Sequence, residues 1–128
     1  MNKNKLIAVY GTLRQNQGNW YHLLKDKSNY LGTFKSEPTF TMYHLGGFPG
    51  IIEKGNTSIV LEVFEIDDII AERVHRLEGY SPNRPKEANM YNAIPINTPY
   101  GEAMVYVINP NYIRKDHIIT SGDWVNQN

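Results

Sequence analysis

The sequence predicts an α+β domain in which a small mixed β-barrel carries flanking helices. Two observations lead there. Short apolar runs bounded by glycine, proline or asparagine recur along most of the chain, as strands do, and only two stretches show helical spacing. Many short strands with few helices favour a mixed sheet that curls on itself. The first apolar run is then a central strand, with the loop that follows it at the barrel mouth. The 128 residues suit one domain over residues 1–128, and the 41% of apolar side chains supply a single modest core.

Leu6-Ile7-Ala8-Val9 reads as the buried first strand. Gly11 breaks it, and a polar loop from Gln15 to Asn19 leads into a helical pattern, Trp20-Tyr21-His22-Leu23-Leu24. Trp20 and Tyr21 read as core packing. Tyr30 to Lys35 and Thr39 to Leu45 are extended segments separated by Pro38. Gly46-Gly47-Phe48-Pro49-Gly50 forms an irregular loop before a short strand, Ile51-Ile52-Glu53. Lys54-Gly55-Asn56 gives a turn signal, so Ile51 to Glu53 and the next strand, Ile59 to Ile66, are expected to pair as a hairpin. A clear helix follows, with Asp67 or Asp68 as N-cap and apolar residues at helical spacing through Leu77. Gly79 suits the position just past its C-terminus, and Pro82 and Pro85 prevent continuation. Met90 to Ile96 and Ala103 to Ile108 are the last two strands, joined by a turn at Thr98-Pro99-Tyr100-Gly101, and Asn109-Pro110 ends the second of them.

Composition narrows the function. Thirteen basic and thirteen acidic side chains cancel, so no basic field draws the chain to nucleic acid or an anionic membrane. No apolar run is long enough to span a bilayer, and the first residues lack a signal-peptide pattern. With no cysteine there is no disulfide, thiol nucleophile or zinc–thiolate site, and a cytoplasmic protein is expected. His22, His44, His75 and His117 are scattered without the four-residue spacing of a helical metal site, so no metal is expected. No serine lies in a nucleophile-elbow pattern.

Two stretches carry the chemistry. In Val9-Tyr10-Gly11-Thr12-Leu13-Arg14, a glycine turn between strand and helix leaves backbone N–H groups free to hold an anion or an oxyanion. Read locally, Gly11 is equally a simple bend, and Thr12 a turn residue. In Leu77-Glu78-Gly79-Tyr80, the carboxyl lies at a helix C-terminus between apolar neighbours, and both circumstances raise its pKa toward that of a base working near neutrality. The plain alternative is a solvated helix-end residue. His75 lies three residues earlier on the same face, where it can tune that carboxyl or stand at the surface. Tyr10 and Tyr106 fall on strands as aromatics whose hydroxyls need partners.

Taken in order, Tyr10-Gly11-Thr12-Leu13 and Leu77-Glu78-Gly79-Tyr80 resemble the γ-glutamylcyclotransferase-like superfamily, especially its γ-glutamylamine cyclotransferase branch. Tyr43 to Ile52, Val60 to Ile66 and Ser121-Gly122-Asp123-Trp124 also resemble family stretches, so the likeness spans nearly the whole chain. The resemblance implies a small mixed barrel with flanking helices. It also implies that the α-amine of a γ-glutamyl group attacks its own γ-carbonyl, giving 5-oxoproline and a free amine without metal or cofactor. Glu78 becomes the catalytic acid/base. Tyr10, Gly11, Thr12 and Leu13 become the substrate-binding loop, and a small γ-glutamyl compound becomes the partner; the strand aromatic Tyr106 is expected to join them as a substrate-binding residue.

The chain departs from the family pattern at three places: Leu61 where glycine is usual, His75 where aspartate is frequent, and Tyr91-Asn92-Ala93 where Tyr-x-Arg is usual. A protein of this fold that captures an anionic or amino-acid-like ligand without chemistry is therefore the alternative. A further one is a module that contacts another protein through Phe48 to Ile52.

Overall fold

The computed structural model describes residues 4–113 and 117–127; residues 1–3, 114–116 and 128 lie outside them. The chain runs β1 (Lys5–Val9), α1 (Gly18–Leu23), β2 (Asn29–Lys35), β3 (Phe40–His44), β4 (Pro49–Thr57), β5 (Val60–Ile66), α2 (Asp68–Leu77), β6 (Tyr91–Thr98) and β7 (Gly101–Ile108). Five strands form one sheet in the order β2-β5-β1-β7-β6, and β3 and β4 form a second sheet of two. As the sequence implies, β1 is central: it runs antiparallel to β5 and parallel to β7.

Alternation along the strands sorts the core into two layers. Ile7 and Val9 of β1, Phe64 and Ile66 of β5 and Ile108 of β7 pack with Leu24, Ile70, Ala71 and Val74 from the helical side. Ala8, Leu61, Val63, Ala103 and Val105 face the other way and pack with Phe40, Met42 and Ile51 of the small sheet. Ile7, Leu61, Val63 and Val105 are fully buried, and each such side chain contributes about 1.5–3 kcal/mol. Leu61 thus belongs to the layer under the small sheet. Trp20 packs against the helical layer as expected, but Tyr21 is half exposed.

Two expectations need correction. The sheets do not close into a barrel, because β2 and β6 remain edges with no ladder between them. Tyr100, in the turn between β6 and β7, fills the space that a side chain at Gly32 of β2 would take. Pro95 in β6, which cannot donate to a ladder, suits an edge. Nor do β4 and β5 form a hairpin. β4 pairs with β3, whereas β5 pairs with β1 and β2. Lys54-Gly55-Asn56 lies inside β4 as a bulge, where the register jumps between Phe40↔Thr57 and Thr41↔Ile52 and Gly55 takes φ +130°.

α2 forms as its end signals dictate. The Asp67 carboxylate accepts from the Ile70 amide at 2.8 Å. At the other end Tyr80 N donates to His75 O at 2.9 Å and Gly79 N to Arg76 O at 3.2 Å, with Gly79 at φ +62°. This is the paired C-terminal turn that glycine makes possible, and it fixes Glu78 as the C-cap, the residue just past Leu77.

Candidate active site

The loop after β1 folds over the start of α1. Arg14 N donates to Gly11 O at 3.0 Å, and Asn19 N and Trp20 N both donate to Thr12 O, at 3.1 and 3.2 Å. The Thr12 carbonyl thereby caps α1, whose own N-cap residue, Gln17, makes no side-chain bond. In a trans peptide the N–H points opposite to the preceding carbonyl. The amides of Thr12 and Leu13 are therefore turned away from the Gly11 and Thr12 carbonyls, and those of Gly11, Thr12 and Leu13 have no partner among the described residues. Asn19 Nδ2 donates to Thr12 Oγ1 at 2.7 Å, leaving the threonine proton free to donate.

These residues line a cavity of about 360 Å³ whose other walls include Phe48, Pro49, Leu77, Glu78, Tyr91 and Tyr106. Tyr10, Gly11, Thr12, Leu13, Glu78 and Tyr106 are thus brought together in one place. Glu78 is half-buried, and no hydrogen bond from a described residue contributes to the state of its carboxyl. Burial raises its pKa from 4.5 to about 7, where a carboxyl both takes and returns a proton near neutrality. Burial, with the nearby Glu78 charge, also raises Tyr10, Tyr91 and Tyr106, so all three phenols keep their protons. Tyr10 Oη donates to Tyr106 O at 2.6 Å and accepts from Ile51 N at 3.3 Å, while Tyr91 Oη donates to Pro49 O at 2.6 Å. His75 meets Tyr106 Oη through Nδ1 at 2.6 Å and makes no hydrogen bond to Glu78. Among the described residues no three His, Cys, Asp or Glu side chains converge as metal ligands would.

The departures from the family pattern fall differently. Leu61 does not line the cavity, and Ala93 lines a separate one beyond Tyr80. His75 touches the site through Tyr106.

Sequence reasoning gave no role to a buried charge cluster behind the loop. Arg14 Nε donates to Glu62 Oε2 at 2.7 Å and Nη1 to Asp123 Oδ1 at 2.7 Å, and Gln15 N donates to Glu62 Oε1 at 2.8 Å. Burial alone raises the Asp123 carboxyl, but its bonds to Arg14 and Asn126 outweigh that and hold it below the ordinary range. Two stretches of the family likeness, the Glu62 strand and the Asp123 tail, are thus tied to the loop. The signal was in the sequence: the apolar run Val60 to Ile66 carries two carboxylates, Glu62 and Glu65, and one that the fold buries demands a partner.

Gly11 is required for a packing reason. A Cβ there would stand 2.6 Å from Pro49 Cγ and 2.7 Å from Cδ, and a proline ring has little room to yield. Gly11→Ala is expected to cost about 1–3 kcal/mol in stability and to reduce ligand affinity, measured by thermal unfolding and calorimetry.

Comparison with known proteins assigns the family. The family model for "Gamma-glutamyl cyclotransferase, AIG2-like" matches residues 7–126. The chain belongs to this family. A Vibrio cholerae relative, named provisionally as a gamma-glutamylcyclotransferase, is 35% identical over 119 residues, 93% of this chain and 94% of its own. The Escherichia coli gamma-glutamylcyclotransferase family protein YtfP is 31% identical over 121 residues. Its solution structure superposes with a TM-score of 0.71, covering 95% of this chain and 97% of that one. The crystal structure of an uncharacterized Pyrococcus horikoshii protein superposes with a TM-score of 0.73 at 25% identity, covering 94% of this chain and 89% of that one. Within this γ-glutamylcyclotransferase-like fold, no helix among the described residues is long and apolar enough to cross a membrane.

Proposed function

We propose that the protein cyclises the γ-glutamyl group of a γ-glutamyl amine, releasing 5-oxoproline and the free amine, with Glu78 as general acid/base. The observation that carries this reading is the pairing, across one cavity, of a carboxyl of raised pKa with three loop amides, all without a hydrogen-bond partner among the described residues. A γ-glutamyl group is complementary to that arrangement. Its α-carboxylate suits the amides of Gly11, Thr12 and Leu13 and the Thr12 hydroxyl, and its α-ammonium suits Glu78.

Glu78 takes a proton from the ammonium, and the freed amine attacks the γ-carbonyl carbon. The C–N bond of the five-membered ring forms as the bond to the leaving amine breaks; Glu78 returns its proton to the leaving nitrogen, and the second proton, shed by the attacking nitrogen as it becomes the lactam N–H, passes to the same amine, which departs as its ammonium. The attack is intramolecular, so holding the chain curled removes much of the entropic barrier. In this reading the protein is a cytoplasmic enzyme that needs neither metal nor cofactor, since the reaction is a sequence of proton transfers around one acyl transfer.

Among the described residues that line the cavity there is no lysine or arginine, and Phe48, Leu77 and Met90 line it with apolar surface. This favours a leaving amine that carries no carboxylate of its own. The test is 5-oxoproline release, followed by mass spectrometry, from a panel of γ-glutamyl amines and γ-glutamyl dipeptides. Release from the amines ahead of the dipeptides is the expected result. No release from any compound by the folded protein would overturn the reading.

The absence of an arginine in Tyr91-Asn92-Ala93 favours a second reading, in which the same cavity holds an amino-acid-like ligand without turning it over. A ligand that raises the melting temperature and is recovered unchanged would select it.

A further inference from the structure

Three phenols, Tyr10, Tyr91 and Tyr106, line the cavity, and each hydroxyl has one proton to give and two lone pairs. Tyr10 has given its proton to the Tyr106 carbonyl and accepts from the Ile51 amide, so it has little left for a ligand. Tyr91 has given its proton to the Pro49 carbonyl and presents only lone pairs. Tyr106 is the undecided one. Its hydroxyl meets His75 Nδ1 at 2.6 Å, a contact that can run in either direction.

We propose that His75 is a positioning residue: its Nδ1 accepts the Tyr106 proton, so that the Tyr106 oxygen is held as an acceptor for the substrate's α-amino group beside Glu78. This rests on the γ-glutamyl reading above. With the proton committed to His75, Glu78, Tyr91 and Tyr106 all offer acceptors to the cavity, and the donors come from the loop amides. The cavity is then polarised to match a zwitterionic α-amino acid head. With the opposite direction, Tyr106 would present a proton to an ammonium and repel it.

The surroundings of His75 suit the accepting role. Its ring packs edge-on against Tyr80 and Tyr106, with centroids 4.9 and 5.8 Å away, which fixes the plane of the imidazole. Burial and then the charge of Lys5 on β1 disfavour the imidazolium, and Glu72 on α2 only partly offsets them. Lys5 itself is paired with Asp68 at 3.3 Å. A neutral imidazole has one nitrogen free to accept, as the proposal requires of Nδ1.

The experiment compares two ligands and three variants. L-γ-glutamyl ethylamide carries the α-amine; its deamino analogue, the monoethylamide of glutaric acid, keeps the carboxylate and amide but lacks it. His75→Leu is expected to raise KM for the first about tenfold and to leave the inhibition constant of the second within about twofold. His75→Asn, which can place an amide oxygen where Nδ1 stood, restores KM, and Tyr106→Phe repeats the selective loss. The 15N shifts of His75 in the wild-type protein are expected to report an unprotonated Nδ1, a measurement that stands even where a variant fails to fold. A protonated Nδ1 overturns the proposal, as does equal weakening of both ligands or of neither. A wild-type protein that turns over the ethylamide while His75→Leu leaves the ratio unchanged sinks the His75 role alone. A wild-type protein that releases no 5-oxoproline and binds neither ligand sinks the γ-glutamyl reading and the proposal together.

Discussion

Glu78→Gln is expected to lower 5-oxoproline release by about 10²–10⁴-fold and, at the same time, to make the protein more stable above neutral pH. The two effects have one cause. The carboxyl sits where burial raises its pKa from 4.5 to about 7, and no hydrogen bond from a described residue contributes to its state. Folding therefore disfavours its charged form. The sign follows from linkage: below pH 4.5 the group is protonated in folded and unfolded chains alike and costs nothing. Between 4.5 and about 7 the unfolded chain ionises first, so stability falls as pH rises, and above that window the loss is constant. Allowing for screening at the cavity mouth, the loss is about 2 kcal/mol. Glutamine keeps the shape and never ionises, so the variant should unfold several degrees above the wild type at pH 8 and level with it at pH 4. Wild-type kcat/KM should rise with pH through a midpoint near 7. A variant that retains activity, or that gains no stability at pH 8, would show that Glu78 is a solvated helix-end residue after all.

The position of Glu78 at the helix end was legible because everything that sets it is local. Asp67 starts the helix and Gly79 stops it, and both are read within one turn of their effect. The loop from Gly11 to Leu13 was legible for the same reason. Strand partners were not. Lys54-Gly55-Asn56 has the composition of a hairpin turn, and whether it reverses the chain or bulges from a continuing strand depends on Phe40 and Thr41, more than ten residues away. Closure of the sheet was equally out of reach, since it turns on whether β2 and β6 meet. They do not, and no residue pattern within either strand announces it. The partners of Arg14 lie 48 and 109 residues along the chain. A charged residue in an apolar strand announces that a partner exists without naming it.

Arg14→Met is expected to be the most damaging single change to stability. The Arg14 side chain is 9% exposed and Glu62 7%, so removing the guanidinium strands a carboxylate where water barely reaches. Breaking a buried pair in this way costs about 3–5 kcal/mol, far more than the pair contributes when intact, because the surviving charge keeps its desolvation penalty. Asp123 adds a pH signature. Its folded pKa lies below the ordinary 3.8, so its contribution is present above that value and lost as pH falls through the folded value. Arg14→Met should remove this part of the acid limb of wild-type stability. A second substitution separates stability from site geometry. Arg14→Met with Glu62→Leu leaves no stranded carboxylate at position 62 and should recover most of the lost stability. It should not recover activity, because Gln15 N then has no Glu62 Oε1 to hold it at 2.8 Å and the loop amides are no longer fixed. A displacement on the order of 1 Å there lowers kcat/KM by about 100-fold. Thermal unfolding and 5-oxoproline release on the single and double variants test this. If the double variant recovers both stability and activity, the charge cluster serves folding alone, and the loop holds its amides in place through the Thr12 carbonyl on α1.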